Sequence, residues 1–180
     1  MTKDEVIARL KEGNKRYLTA TANDGDVSDA IRKDTTENGQ HPYAVVVACS
    51  DSRVVPEDIF MTGIGELFTI RVAGNVITDT QLGSIEYACG HLGCLVVVIL
   101  GHTNCGAVGA ALSGDGEDHV KSLTDYIHLA IGNEKDYDKA CCLNAEAGAK
   151  IVKDALGKGD DAPLTVAAMY DIKTGEVRWL

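Results

Sequence analysis

Apolar residues recur along the chain in two rhythms. Val6, Ile7, Leu10, Tyr17 and Leu18 return at roughly helical spacing, which predicts an amphipathic first helix over residues 3–18. Residues 19–41, rich in Asp, Thr, Asn and Gly, carry little apolar periodicity and predict a polar loop with room for one short helix. From Tyr43 onward short apolar runs alternate with longer amphipathic ones. The pattern predicts a strand over 43–48 ("YAVVVA"), a turn and short helix around "PEDIF", a strand over 67–72 ("LFTIRV"), a helix over 80–93 and a strand over 94–100 ("CLVVVIL"). A small-residue helix then opens at "GAVGAALSG", helical stretches follow near 121–131 and 142–156, and "LTVAAMYDIKTGEVRWL" reads as strand, turn, strand. Strands that are apolar on both faces and alternate with helices predict an α/β fold, a mostly parallel central sheet flanked by helices, with an N-terminal helical arm. The expected organisation is an arm and loop over 1–40 and one α/β core over 41–180.

Composition narrows the function classes. The 180 residues are 45% hydrophobic and 24% charged, those of an ordinary globular chain large enough for a core of its own. A formal net charge of -10 argues against nucleic acid and against an anionic membrane, because both require a basic face. The charged amphipathic start shows no secretory signal, and no apolar run approaches the roughly 20 residues needed to span a bilayer. A cytoplasmic location is expected. Six cysteines in that compartment read as ligands, catalysts or small buried hydrophobes rather than as a disulfide framework.

The reactive residues sit where the strands stop. "VVVACSDSR" runs from a buried strand into Cys49, Asp51 and Arg53, and "GHTNCGAV" places His102 and Cys105 at the end of another. In an open parallel sheet, ligands bind beyond the carboxyl ends of neighbouring strands whose connections run in opposite directions. If the first and third strands are adjacent, Cys49, His102 and Cys105 converge. Two thiolates and an imidazole suit Zn²⁺, and three protein ligands leave a fourth position for water or substrate, at which the metal supplies hydroxide near neutral pH. Asp51 would orient that hydroxide while Arg53 holds the carboxylate; alternatively Asp51 itself ligates the metal and closes the site. A nucleotide site is disfavoured, since "GIGELF" lacks a third glycine and no phosphate-binding lysine motif exists.

These motifs, "CSDSR" and "HTNC", resemble the Cys-x-Asp-x-Arg and His-x-x-Cys signatures of the β-class carbonic anhydrase family. "LKEGNKRY", "SDSRVVPEDIF", "GELFTIRVAGN", "GSIEYACGHLG" and "VVVILGHTNCGAV" resemble family segments in the same order, over roughly residues 8–112. The resemblance implies reversible hydration of CO₂ to bicarbonate and a proton, with one Zn²⁺ per chain on Cys49, His102 and Cys105. It further implies the plant-like subtype, whose pocket positions are occupied here by Gln40, Phe68 and Tyr87. Phe68 and Ala73 would wall an apolar pocket for CO₂, and the Gln40 amide with the backbone N–H of Gly106 would meet developing charge on oxygen. His91, one turn after Tyr87, would shuttle the proton. Family members are at least dimers in which the first helix crosses to the partner, implying a homodimer or a dimer of dimers. The segment between "CGAV" and the closing strands is shorter and more acidic than the family's helical arms. Cys89, Cys94, Cys141 and Cys142 match no family ligand and read as structural thiols. CS₂ or COS as substrate, or a non-catalytic zinc-binding interaction module, are the rival readings.

Overall fold

The computed structural model describes residues 1–159 and 161–180. In chain order it contains α1 (Lys3–Tyr17), α2 (Asp29–Asn38), β1 (Ala44–Ala48), α3 (Pro56–Ile59), β2 (Leu67–Arg71), α4 (Asp79–Leu92), β3 (Val96–His102), α5 (Gly106–Ser113), α6 (Lys121–Ile131), α7 (Tyr137–Leu156), β4 (Leu164–Tyr170) and β5 (Val177–Trp179). Short 3₁₀ turns cover Ala73–Asn75 and Asp118–Val120. The sheet order is β2-β1-β3-β4-β5, parallel except for β5, which folds back on β4.

Alternation along the strands explains both core layers. Val45, Val47 and Cys49 point to one side with Val97 and Ile99, where α4, α5, α6 and α7 cover them. Ala44, Val46 and Ala48 point to the other with Val96, Val98 and Leu100, where α1 brings Val6 and Leu10 and α3 brings Ile59. Because both faces are covered, β1 and β3 are buried at every position. Burying Val6 and Leu10 together stabilises the docked helix by roughly 3–6 kcal/mol before the entropy of ordering it is counted.

Residues 1–40 lie against their own chain. Thr2 and Glu5 form a capping box at the start of α1. Near its end, buried Asn14 donates to the carbonyls of Ile59 and Gly175 and accepts from Val177 N–H, which ties the helix to both α3 and the β4–β5 turn. The short helix allowed for in the polar loop is α2, started by Ser28 accepting from Ile31 N–H.

Two elements differ from the sequence expectation by more than a single residue at an end. The strand expected over 94–100 runs from Val96 to His102, because Cys94 N–H still closes α4 on Ala88 while Gly101 and His102 extend the ladder opposite Met169 and Tyr170. The helix expected from 142 begins at Tyr137, where the Asp136 side chain accepts from Lys139 N–H. β1 lies between β2 and β3, so the chain leaves β1 in one direction and β3 in the other. The gap between their carboxyl ends is the place such sheets leave for a ligand.

Candidate metal centre

Three side chains meet in that gap. Cys49 follows β1, His102 is the last residue of β3 and Cys105 precedes α5. One ligand atom from each lies within 4.8 Å of the others, and all three residues are buried. The imidazole orientation is fixed by its neighbour: Nδ1 lies 2.9 Å from the Thr103 carbonyl, which only accepts, so Nδ1 carries the proton. That leaves Nε2 as a bare lone pair, buried and without a hydrogen-bond partner. An orphaned buried acceptor beside two thiols fits a soft divalent cation, and Zn²⁺ favours this donor set.

The thiols are electrostatically coupled. Cys49 is held well below the usual thiol range, chiefly by hydrogen bonding from the Cys105 thiol, against the opposing effect of burial. Cys105, donating to Cys49, is pushed up, and burial adds to the rise. One negative charge is therefore readily held here, and a cation is what allows both sulfurs to be thiolates.

Asp51 is not one of this group and is held by Arg53 instead. Arg53 donates to it three times, from its backbone N–H to Oδ1 at 3.0 Å, from Nε to Oδ1 at 2.9 Å and from Nη2 to Oδ2 at 2.7 Å. The guanidinium holds the Asp51 carboxyl far below the ordinary carboxylate range. The loop that carries it is pinned by Arg71 on β2, whose Nε donates to the Cys49 carbonyl at 3.1 Å and whose Nη2 donates to that of Asp51 at 2.6 Å.

The 3₁₀ turn after β2 completes the wall. Gly74 N–H donates to Cys49 Sγ at 3.2 Å, and the Gly74 carbonyl accepts from buried Asn144 Nδ2 at 2.7 Å. Gly74 has φ 71°, and a Cβ there would meet Ile127 Cδ1 at 2.8 Å, so backbone conformation and packing both select glycine.

The family model for carbonic anhydrase matches residues 44–177. The chain belongs to the β-carbonic anhydrase family. Carbonic anhydrase 2 of Mycobacterium tuberculosis is 46% identical over 104 residues, which are 58% of this chain and 50% of that protein. The chain spans about half the length of the curated relatives it matches. Among solved structures, the β-carbonic anhydrase CafA of Aspergillus fumigatus superposes with a TM-score of 0.68 at 29% identity, covering 84% of this chain and 86% of that one. A Coccomyxa β-carbonic anhydrase in complex with acetazolamide gives 0.69 at 28% identity, covering 84% and 78%.

The remaining pocket residues implied by the β-carbonic anhydrase resemblance fall into two groups. Ala73 adjoins Gly74, and Gly106, exposed with open space beside it, begins α5 directly after Cys105. Gln40, Phe68, Tyr87 and His91 lie elsewhere. Gln40 is exposed four residues before β1, at the end of the sheet opposite Cys49. Phe68 pairs in register with Val45, its ring 6.2 Å from Tyr87, which stacks 5.2 Å from the exposed His91. Sequence reasoning missed Arg71, Tyr137 and Asn144. The glycine in "RVAGN" was the one available signal that a backbone approaches the site closely there.

Proposed function

We propose that the chain is a zinc enzyme catalysing reversible hydration of CO₂ to bicarbonate and a proton, with the open site of the plant-like subtype. The observation that carries this reading is the convergence of two thiols and an unpartnered imidazole nitrogen, with the nearby Asp51 carboxylate engaged by its Arg53 guanidinium partner. Cys49, His102 and Cys105 would hold the ion. When bound, Zn²⁺ supplies Lewis acidity that makes water a nucleophile near neutral pH.

The chain's own residues do the orienting. A carboxylate offers about four lone-pair sites, and Arg53 takes three from Asp51, leaving one on Oδ2 to accept a hydrogen bond from the reacting water. That contact aims the oxygen's remaining lone pairs. The Gly106 N–H, in the first turn of α5 where helix donors lack an intrahelical partner, would donate to an oxygen of CO₂ as it gains charge. Apolar side chains from the wall around Ala73 favour the uncharged gas over bicarbonate, which assists product release.

Register bears on assembly. Phe68 lies opposite Val45, four residues before Cys49, so at about 3.3 Å per residue it sits roughly 13 Å short of the ligand thiol of its own chain. Gln40, Phe68 and Tyr87 therefore line a pocket only if a second copy supplies them, which supports a homodimer or a dimer of dimers. Tyr87 is 48% exposed in the single chain, an aromatic surface suited to such an interface. His91, stacked on Tyr87, is then placed to carry the proton to buffer. Among the described residues no helix is long and apolar enough to cross a membrane. Six unpaired cysteines suit a reducing cytoplasm.

Metal analysis of the purified protein together with stopped-flow CO₂ hydration tests the reading. One zinc per chain and activity that nearly vanishes in Cys49→Ser are expected; activity surviving that change, or faster turnover of CS₂ or COS than of CO₂, rejects it.

A further inference from the structure

We propose that one face of α7 is a brace that sets the sulfur geometry of the metal centre, with Asn144 and Tyr137 as positioning residues. Tyr137, Cys141 and Asn144 stand at i, i+4 and i+7 and so share a face of the helix. Each touches a different part of the centre. Tyr137 Oη donates to the Cys105 carbonyl at 2.7 Å, the same carbonyl that accepts Gly109 N–H in the first turn of α5. A side chain at Gly109 would meet Tyr137 Oη at 2.9 Å, so this helix turn is shaped to receive the ring. At Cys141 the α7 backbone packs on the end of β3, its carbonyl 3.4 Å from where a Cβ on Gly101 would stand, one residue before His102.

Asn144 reaches the third ligand through one glycine. Its Nδ2 holds the Gly74 carbonyl at 2.7 Å, while Gly74 N–H donates to Cys49 Sγ at 3.2 Å. The two groups belong to successive peptide planes joined by left-handed Gly74, the most permissive joint in that turn. Without Asn144 the Gly74 carbonyl loses its partner in a buried setting and the plane is free to turn, taking the donor off the sulfur. An N–H bond to a thiolate withdraws density from it and fixes which lone pair faces the metal. Groups that orient ligands in this way commonly account for 10- to 100-fold in metal affinity.

The test uses the full chain loaded with Co²⁺, whose thiolate-to-metal charge-transfer band reports sulfur geometry without reference to turnover. Asn144→Ala and Tyr137→Phe should each shift that band and weaken Co²⁺ about 10-fold or more in chelator competition. Val152→Ala, a buried change on the same helix two turns beyond Asn144, should lower thermal stability and leave band and affinity alone. Band and affinity unmoved in both site variants, or moved equally by Val152→Ala, overturn the brace. Should Asn144→Ala fail to fold, Tyr137→Phe decides alone, since it removes one hydroxyl from a partly exposed ring. The inference rests on the metal reading: wild-type protein that binds no Co²⁺ refutes that reading, whereas a wild-type band with unmoved variants refutes only the brace.

Discussion

Three glycine-to-alanine substitutions separate backbone strain from packing at the wall of the metal centre. Gly74 and Gly93 share nearly the same left-handed backbone, φ 71° and 74°, so alanine costs about 1–2 kcal/mol of conformational energy at either. They differ in surroundings. Beside Gly93 a new Cβ meets nothing within 4 Å, whereas beside Gly74 it meets Ile127 Cδ1 at 2.8 Å and Ala107 Cβ at 3.1 Å. Ile127 is fully buried and has little room to yield, so overpacking adds about 1–3 kcal/mol. Gly74→Ala should thus cost roughly 2–5 kcal/mol and Gly93→Ala roughly 1–2. Gly83, exposed within α4 with nothing near its Cβ position, should gain roughly 0.4–1 kcal/mol as alanine. Urea unfolding of metal-free protein measures all three without a ligand's contribution. Equal losses at Gly74 and Gly93 would refute the packing argument, and a loss at Gly83 would refute the assignment of α4 as an ordinary exposed helix there.

Further outcomes follow from the same geometry. Arg53→Ala removes the donors that hold the Asp51 carboxyl low; with that pKa depressed in the folded chain, the stabilisation is present above the ordinary carboxylate range and disappears as pH falls through the folded value. The stability difference between wild type and Arg53→Ala should therefore be largest near neutrality and shrink in acid, as read by denaturation across pH. The same variant frees the carboxylate to turn toward the thiols, so activity near neutral pH should fall at least 10-fold. Chelation of the metal should lower Tm, because the ion binds the folded chain alone, and added Zn²⁺ should restore it. His91→Ala should slow CO₂ hydration in dilute buffer and recover in concentrated imidazole; equal loss in both buffers rejects a proton-carrying role.

The convergence of Cys49, His102 and Cys105 and the strands that deliver them were legible because each rests on a local pattern. Buried β1 and β3 are runs with apolar residues on both faces, and Cys49 and His102 mark where those runs stop. The convergence needed one further fact, that β1 and β3 are neighbours, and the handedness of parallel crossovers leaves few alternatives. The brace on α7 was not legible. "NEKDYDKACC" is polar at its start, and only the Asp136 cap and the downstream packing of Ala140 and Ala145 make it helical from Tyr137. Asn144 carries no motif; its significance comes from a 2.7 Å contact across 70 residues of sequence. The pocket residues show the same limit in reverse. Gln40, Phe68 and Tyr87 are recognisable as a set, yet spacing along one chain says nothing about which copy's metal they face. The register of β1 on β2 bears on that: a residue opposite Val45 and a thiol at position 49 cannot meet within one sheet, so under the proposed reading the recognisable set would have to come from a second copy of the chain.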